Sequence, residues 1–125
     1  MLFRSVRSGQ VLITDAPPDN QGKGESFSPT DLLATSLGSC MLTIMGIAAH
    51  THNIDMDGTK IKITKVMASN PRRVSEVQVV FDMPDVNYSD KEKVILENAA
   101  RTCPVALSLH PDLKQVLVFN YHAQP

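Results

Sequence analysis

The sequence predicts one α+β domain over residues 1–125, and three observations carry that prediction. Two pairs of short alternating segments read as strand–turn–strand, one before and one after a long helical stretch without charge. A second helix is opened by a capping box. A last alternating segment then follows. The order β-β-α-β-β-α-β puts strands in antiparallel pairs and gives the helices no regular crossover role, which is α+β rather than doubly wound.

Residues 1–7 and 10–14 read as two strands about a Ser8-Gly9 turn. Residues 15–27 read as a loop, with Pro17-Pro18, Asp19-Asn20 and Gly22-Lys23-Gly24. The first helix opens at Ser28 as N-cap, with Pro29 at the first helical position and Asp31 at the third. It should run to His50 or His52, before Asn53. Residues 59–67 and 74–83 read as strands about the turn Asn70-Pro71-Arg72-Arg73, with Val77, Val79, Phe81 and Met83 on one face of the second. Ser89-Asp90-Lys91-Glu92 starts the second helix, which places Ile95, Ala99 and Cys103 on one face. Pro104 disfavours α geometry at Cys103, so the helix should end or kink there. Residues 105–110 allow a short helical turn, and residues 113–121 read as the final strand.

Composition is that of an ordinary soluble protein, with 42% hydrophobic and 20% charged residues. A net charge of −1 and scattered basic residues give no electrostatic case for nucleic acid or an anionic membrane. No basic segment precedes an apolar one at the start, so no secretory signal is expected and the cytoplasm is the expected compartment. Residues 32–49 carry no charge over 18 positions, which meets the length screen for a membrane span. Thr35, Ser36, Gly38, Ser39, Thr43 and Gly46 make it too small and polar for a lone span, and basic flanks are missing. A soluble helix buried nearly all round is the expectation. A chain this short has difficulty covering such a helix alone, so a homodimer is expected.

The chain has two cysteines, Cys40 in the apolar helix and Cys103 before Pro104. Two cysteines are no disulfide framework, and a cytosolic pair that oxidises is usually catalytic or redox-sensing. A thiol in an uncharged helix is inert unless something makes it a thiolate. On the residues alone a core role for either cysteine stands beside a chemical one, because free cysteine is among the most buried residue types. Met41 and Met45, beside Cys40, read as core filler or as the wall of an apolar pocket suited to a bulky organic substrate. Gly38, Ser39, Gly46, Ala48 and Ala49 read as small residues that let another helix approach. His50 and His52, two apart, point to different helix faces, and His110 and His122 are isolated, so no metal and no cofactor is expected. Gly22-Lys23-Gly24 lacks the full spacing and the strand–loop–helix setting of a phosphate loop.

Two segments carry a resemblance to a known family. They are Ser28-Pro29-Thr30-Asp31-Leu32-Leu33-Ala34-Thr35-Ser36-Leu37-Gly38-Ser39-Cys40 and Arg101-Thr102-Cys103-Pro104-Val105. With the strand pair between them and the closing strand, the chain resembles the OsmC/Ohr superfamily of osmotically induced and organic-hydroperoxide-resistance proteins over residues 9–121. The resemblance implies two intertwined subunits, long central helices packed between antiparallel sheets, and active sites at the subunit interface. It implies reduction of organic hydroperoxides, with Cys40 peroxidatic, Cys103 resolving and an external dithiol as reductant. The family's glutamate position is occupied here by Thr30, with Asp31 one place later, about 100° around a helix. The family's N-terminal arginine has no match, which leaves Arg4 and Arg7 as substitutes by proximity; Arg101, two residues before Cys103, is a further candidate cation.

Three function classes follow, in order. The first is a thiol peroxidase. The second is a small-molecule binding or redox-sensing protein on the same scaffold, without peroxidase turnover. The third is a hydrolase or acyl-transfer enzyme with a cysteine nucleophile, which needs a base beside Cys40.

Overall fold

The computed structural model describes residues 1–122. The chain forms two compact units, residues 1–33 and the residues from Ala34 onward.

In the first unit, β1 (Leu2–Arg4) and β2 (Val11–Ile13) pair antiparallel, with Phe3 opposite Leu12. The turn between them is wider than the Ser8-Gly9 turn expected from sequence. The Ser5 N–H donates to the Gln10 carbonyl at 2.8 Å, and the hydroxyls of Ser5 and Ser8 accept the N–H groups of Ser8 and Gln10. Serine hydroxyls that take backbone donors compete with the strand ladder. Arg7 therefore lies in the loop, and the strands are shorter than the 1–7 and 10–14 predicted. Leu2, Phe3, Val11 and Ile13 are all exposed on this ribbon. Residues 15–27 are a loop, as expected, with one 3-10 turn at Pro18–Asn20 and a bridge from Thr14 to Phe27. The Asp15 carboxylate accepts the N–H groups of Lys23 and Glu25, both at 3.2 Å. The Gly22 and Gly24 N–H groups donate to the Pro17 and Ala16 carbonyls, so the backbone donors of this loop are used internally. Gly22 is required by space: a Cβ there would stand 1.8 Å from the Ala16 carbonyl oxygen.

Helix α1 (Pro29–Thr51) begins in the first unit and continues into the second. It is long and apolar enough to cross a membrane by length and composition. Ala34, Leu37, Gly38, Met41, Met45 and Ala49 are buried, which makes one side of α1 a core surface. The other side is open in the single chain, with Ser36, Ser39, Thr43, Gly46 and Ile47 exposed. One chain thus buries one face of α1 and leaves the other uncovered, as expected of a chain too short to cover the helix alone. Gly38 also differs from its expected role beside another helix. It faces strand β3 (Lys60–Ala68), where a Cβ would meet Ile63 Cδ1 at 2.4 Å and Ile61 Cδ1 at 3.1 Å.

Strand β3 pairs antiparallel with β4 (Arg73–Asp82), Ile63 opposite Val79. The strand β5 (Lys114–Asn120) pairs with β4 in parallel, Leu117 opposite Val79, so the sheet of order β3-β4-β5 is mixed. Parallel strands need a crossover connection. Helices α2 (Asp90–Arg101) and α3 (Pro104–Ser108) lie in the connection from β4 to β5, a role the sequence analysis denied them. The α+β class holds, with this one pairing parallel. Ser89 caps α2 in a full capping box with Glu92. Val77, Val79, Phe81 and Met83 are buried, as their alternation predicts, and Phe81 stacks on Phe119 with centroids 4.6 Å apart.

Candidate active site

Cys40 and Cys103 belong to one packed cluster. Cys103 is fully buried and Cys40 is half-buried against the same core. Both are free thiols. Helix α1 carries Cys40 next to Met41, whose side chain, like that of Met45, is wholly buried. These two methionines are core residues.

Cys103 stands between two helices for a local reason. α2 ends at Arg101, and Pro104 opens α3, so Cys103 takes extended geometry at φ −66° and ψ 150°. It becomes the N-cap of α3, and its Sγ accepts the Ala106 N–H at 3.4 Å. Burial pushes the Cys103 thiol up from the ordinary cysteine range. The N–H groups of Ala106 and Val105 draw it down, while the Cys40 thiol pushes it up through a hydrogen bond and through its charge when ionised. The net direction is upward.

The Ala106 peptide is itself held from its other end. Gln115 Nε2 donates to the Ala106 carbonyl at 3.0 Å. Gln115 is not among the residues singled out from sequence, although the signal is there. Leu113, Leu117 and Phe119 share its side of the alternating β5 segment and pack on the core. A glutamine in that apolar row needs a buried partner.

The other candidates lie in different settings. In the first unit Asp31 is a cap: its Oδ2 accepts the Ser28 N–H at 3.0 Å, and Ser28 Oγ accepts the Asp31 N–H at 3.0 Å. Thr30 Oγ1 lies 3.2 Å from Ser28 Oγ. Arg4 is in β1 and Arg7 in the hairpin loop, both exposed. In the second unit the Arg101 guanidinium lies over the Phe119 ring, 6.0 Å from its centroid. His110 Nδ1 accepts the Asp112 N–H at 3.0 Å, and His122 Nε2 lies 2.7 Å from Asp82 Oδ1. His50 and His52 are exposed at the end of α1. Among the described residues no three His, Cys, Asp or Glu side chains gather as a metal site would.

A second polar cluster also went unread in the sequence. Tyr121 donates to Glu97 Oε2 at 2.9 Å, with Lys93 Nζ 4.8 Å from the Tyr121 ring centroid. Burial, then the hydrogen bond and charge of Glu97, push the Tyr121 phenol well above the usual tyrosine range.

Similarity to known proteins agrees with this fold. The family model described as OsmC-like protein matches residues 22–116. A solved structure from Psychrobacter arcticus 273-4, provisionally named an osmotic stress induced and detoxification response protein, is 54% identical, with a TM-score of 0.90 over 95% of this chain and 86% of that one. An organic hydroperoxide resistance protein OsmC from Legionella pneumophila shares 14% identity at a TM-score of 0.78, over 95% and 88% of the two chains. An organic hydroperoxide resistance protein from Elizabethkingia anophelis shares 17% at 0.75, over 97% and 88%. No curated protein matches the chain. The last two structures speak for the fold, whereas the family match takes in both cysteines and the strands between them, and by it the chain belongs to the OsmC-like protein family.

Proposed function

We propose that this protein is a thiol-dependent peroxidase that reduces organic hydroperoxides. The observation that supports it most is the unequal thiol pair: Cys103 is buried, capped and held toward its protonated form, beside a less buried Cys40. In the first step the Cys40 thiolate attacks the distal peroxide oxygen. The O–O bond breaks, Cys40 becomes a sulfenic acid, and the alkoxide leaves as an alcohol after taking a proton. In the second step Cys103 sulfur attacks the Cys40 sulfenic sulfur, forming a disulfide and releasing water. An external dithiol then returns both cysteines to thiols and is itself oxidised to a disulfide.

The working unit in this reading is a cytoplasmic homodimer of one functional domain, taking part in an oxidative stress response, with its sites at the subunit interface. The open face of α1 and the exposed apolar ribbon support the dimer. The family match across both compact units supports the single domain. Arg4, Arg7 and Arg101 are the candidate cations for Cys40, and no metal or cofactor enters the scheme. Turnover of cumene hydroperoxide with a dithiol tests the proposal. Consumption of the dithiol that depends on Cys40 supports it, and absence of consumption at every pH from 6 to 9 overturns it.

The second reading is a binding or redox-sensing protein that forms the same disulfide without rapid turnover. One observation favours it: Asp31, one place after the position where the resemblance implies an arginine-orienting glutamate, spends an oxygen on the Ser28 N–H.

A further inference from the structure

We propose that Gln115 is a positioning residue for Cys103, acting through the Ala106 peptide. The inference rests on the dithiol reading above. Two hydrogen bonds in series carry it, and Cys40 packs beside their end. Gln115 Nε2 donates to the Ala106 carbonyl at 3.0 Å. The Ala106 N–H donates to Cys103 Sγ at 3.4 Å. Cys40 packs against the same core cluster that holds Cys103.

The order of these contacts matters. Disulfide formation requires a narrow S–S dihedral, near ±90°. The Cys103 sulfur must therefore approach Cys40 from a defined direction. That direction is set by an N–H on a helix of only five residues, α3, which is too short to hold itself. Gln115 ties the same peptide unit to β5, whose register against β4 is continuous from Glu76 opposite Lys114 to Asp82 opposite Asn120. The sheet thus lends its rigidity to the cap. An amide in a row otherwise made of Leu113, Leu117 and Phe119 donates to the Ala106 carbonyl.

The test uses the full-length protein with both cysteines reduced. Diamide is the oxidant: it takes two electrons and two protons from a thiol pair, its N=N bond becoming a hydrazine as the disulfide forms. Three variants are compared with wild type. Gln115→Met keeps the length and removes the donor. Gln115→Glu keeps the shape and leaves acceptors only. Gln115→Lys restores a donor at similar reach. Each is read by the rate of Cys40–Cys103 disulfide formation and by its thermal midpoint. The expected result is a rate lowered about tenfold in Gln115→Met and Gln115→Glu, a part of the roughly hundredfold that misplacing a reacting group by about 1 Å can cost. Gln115→Lys should recover most of the loss at a thermal midpoint equal to that of Gln115→Glu. A merely structural role would make rate follow midpoint and would not separate Lys from Glu. If Gln115→Met does not fold, the Glu-against-Lys contrast decides alone. Equal rates in all three, with wild type forming the disulfide, would overturn the role of Gln115 and leave the thiol pair standing. A wild type that forms no Cys40–Cys103 disulfide would overturn both.

Discussion

Cys103 is the N-cap of α3, with its Sγ 3.4 Å from the Ala106 nitrogen. The sulfur therefore has a structural task besides any chemistry, and the two separate by substitution. Cys103→Ser keeps a side-chain acceptor for the Ala106 N–H, whereas Cys103→Ala leaves that buried donor without one. Loss of a cap acceptor costs about 0.5–2 kcal/mol. Thermal unfolding should place Cys103→Ala below Cys103→Ser. Equal midpoints would show that the contact contributes nothing to stability.

Peroxide consumption should depend on the two cysteines differently. Cys40→Ser should abolish the first turnover, because no sulfenic acid forms. Cys103→Ser should give one burst and then inactivation, as the unprotected sulfenic acid climbs to sulfinic acid. Intact mass after the burst checks this: Cys40 should carry two added oxygens in Cys103→Ser and a disulfide in wild type.

Alkylation should report the raised Cys103 thiol as a function of pH. Burial raises the Cys103 thiol first, and the Cys40 thiol adds to the rise. Cys103 should react only at pH above the free-cysteine value of about 8.5. Cys40→Ser removes the charge that opposes ionisation of Cys103, so the titration of Cys103 should shift to lower pH while burial still holds it above the free value. An unchanged or higher titration in that variant would count against the contact.

Gly38 should tolerate a larger side chain only if Ile63 is trimmed. An added Cβ lies 2.4 Å from Ile63 Cδ1, so the isoleucine must move. Overpacking costs about 1–3 kcal/mol, against a gain of about 1 kcal/mol for replacing glycine within a helix. Gly38→Ala should be neutral to destabilising, and Gly38→Leu clearly destabilising. In an Ile63→Val background, which lacks Cδ1 but keeps a Cγ and the Ile61 Cδ1 contact at 3.1 Å, Gly38→Ala should cost less than in wild type. Chemical denaturation of the four proteins of this cycle reads the coupling; additive effects would remove the contact from the account.

Stability should fall in alkali, partly through Tyr121. Its folded-state pKa is raised above the unfolded value of about 10, chiefly by burial and then by Glu97. Above pH 10 the unfolded chain therefore binds fewer protons than the folded one at this site, and stability drops as pH rises. Below pH 10 the site contributes no slope. Tyr121→Phe should flatten the decline above pH 10. Thermal midpoints from pH 8 to pH 11 test this, and an identical slope in the variant would assign the alkaline loss elsewhere.

Local rules of chain geometry were legible in the sequence, and tertiary pairing was less so. Ser28-Pro29 and Ser89-Glu92 announce the two helix starts because capping needs only residues three apart. Pro104 announces the break at Cys103, since the clash is with the adjacent residue. The direction of β5 was not legible. Its alternation has the same period whether it runs parallel or antiparallel to β4, and its neighbour is chosen by the crossover. Gly38 was misassigned because a small residue on a helix does not say whether a helix or a sheet lies opposite. The two cysteines were visible as candidates, but their unequal burial depends on which helix end meets which core. Gln115 could have been found as a polar residue in an apolar row, and its partner could not.

The parallel pairing of β4 and β5 also sets a schedule for the thiols. A tight turn cannot join parallel strands, so β5 reaches its place only after the whole intervening segment has been synthesised and folded back. Cys103 rides on that segment, while Cys40 belongs to a helix made two strands earlier. In the peroxidase reading, a nascent chain therefore displays Cys40 before Cys103, its proposed resolving partner, has arrived. A sulfenic acid formed in that interval has no neighbour to condense with, and further oxidation is irreversible. The chain should be most easily ruined by peroxide while it is being made, and least easily once the last strand has closed.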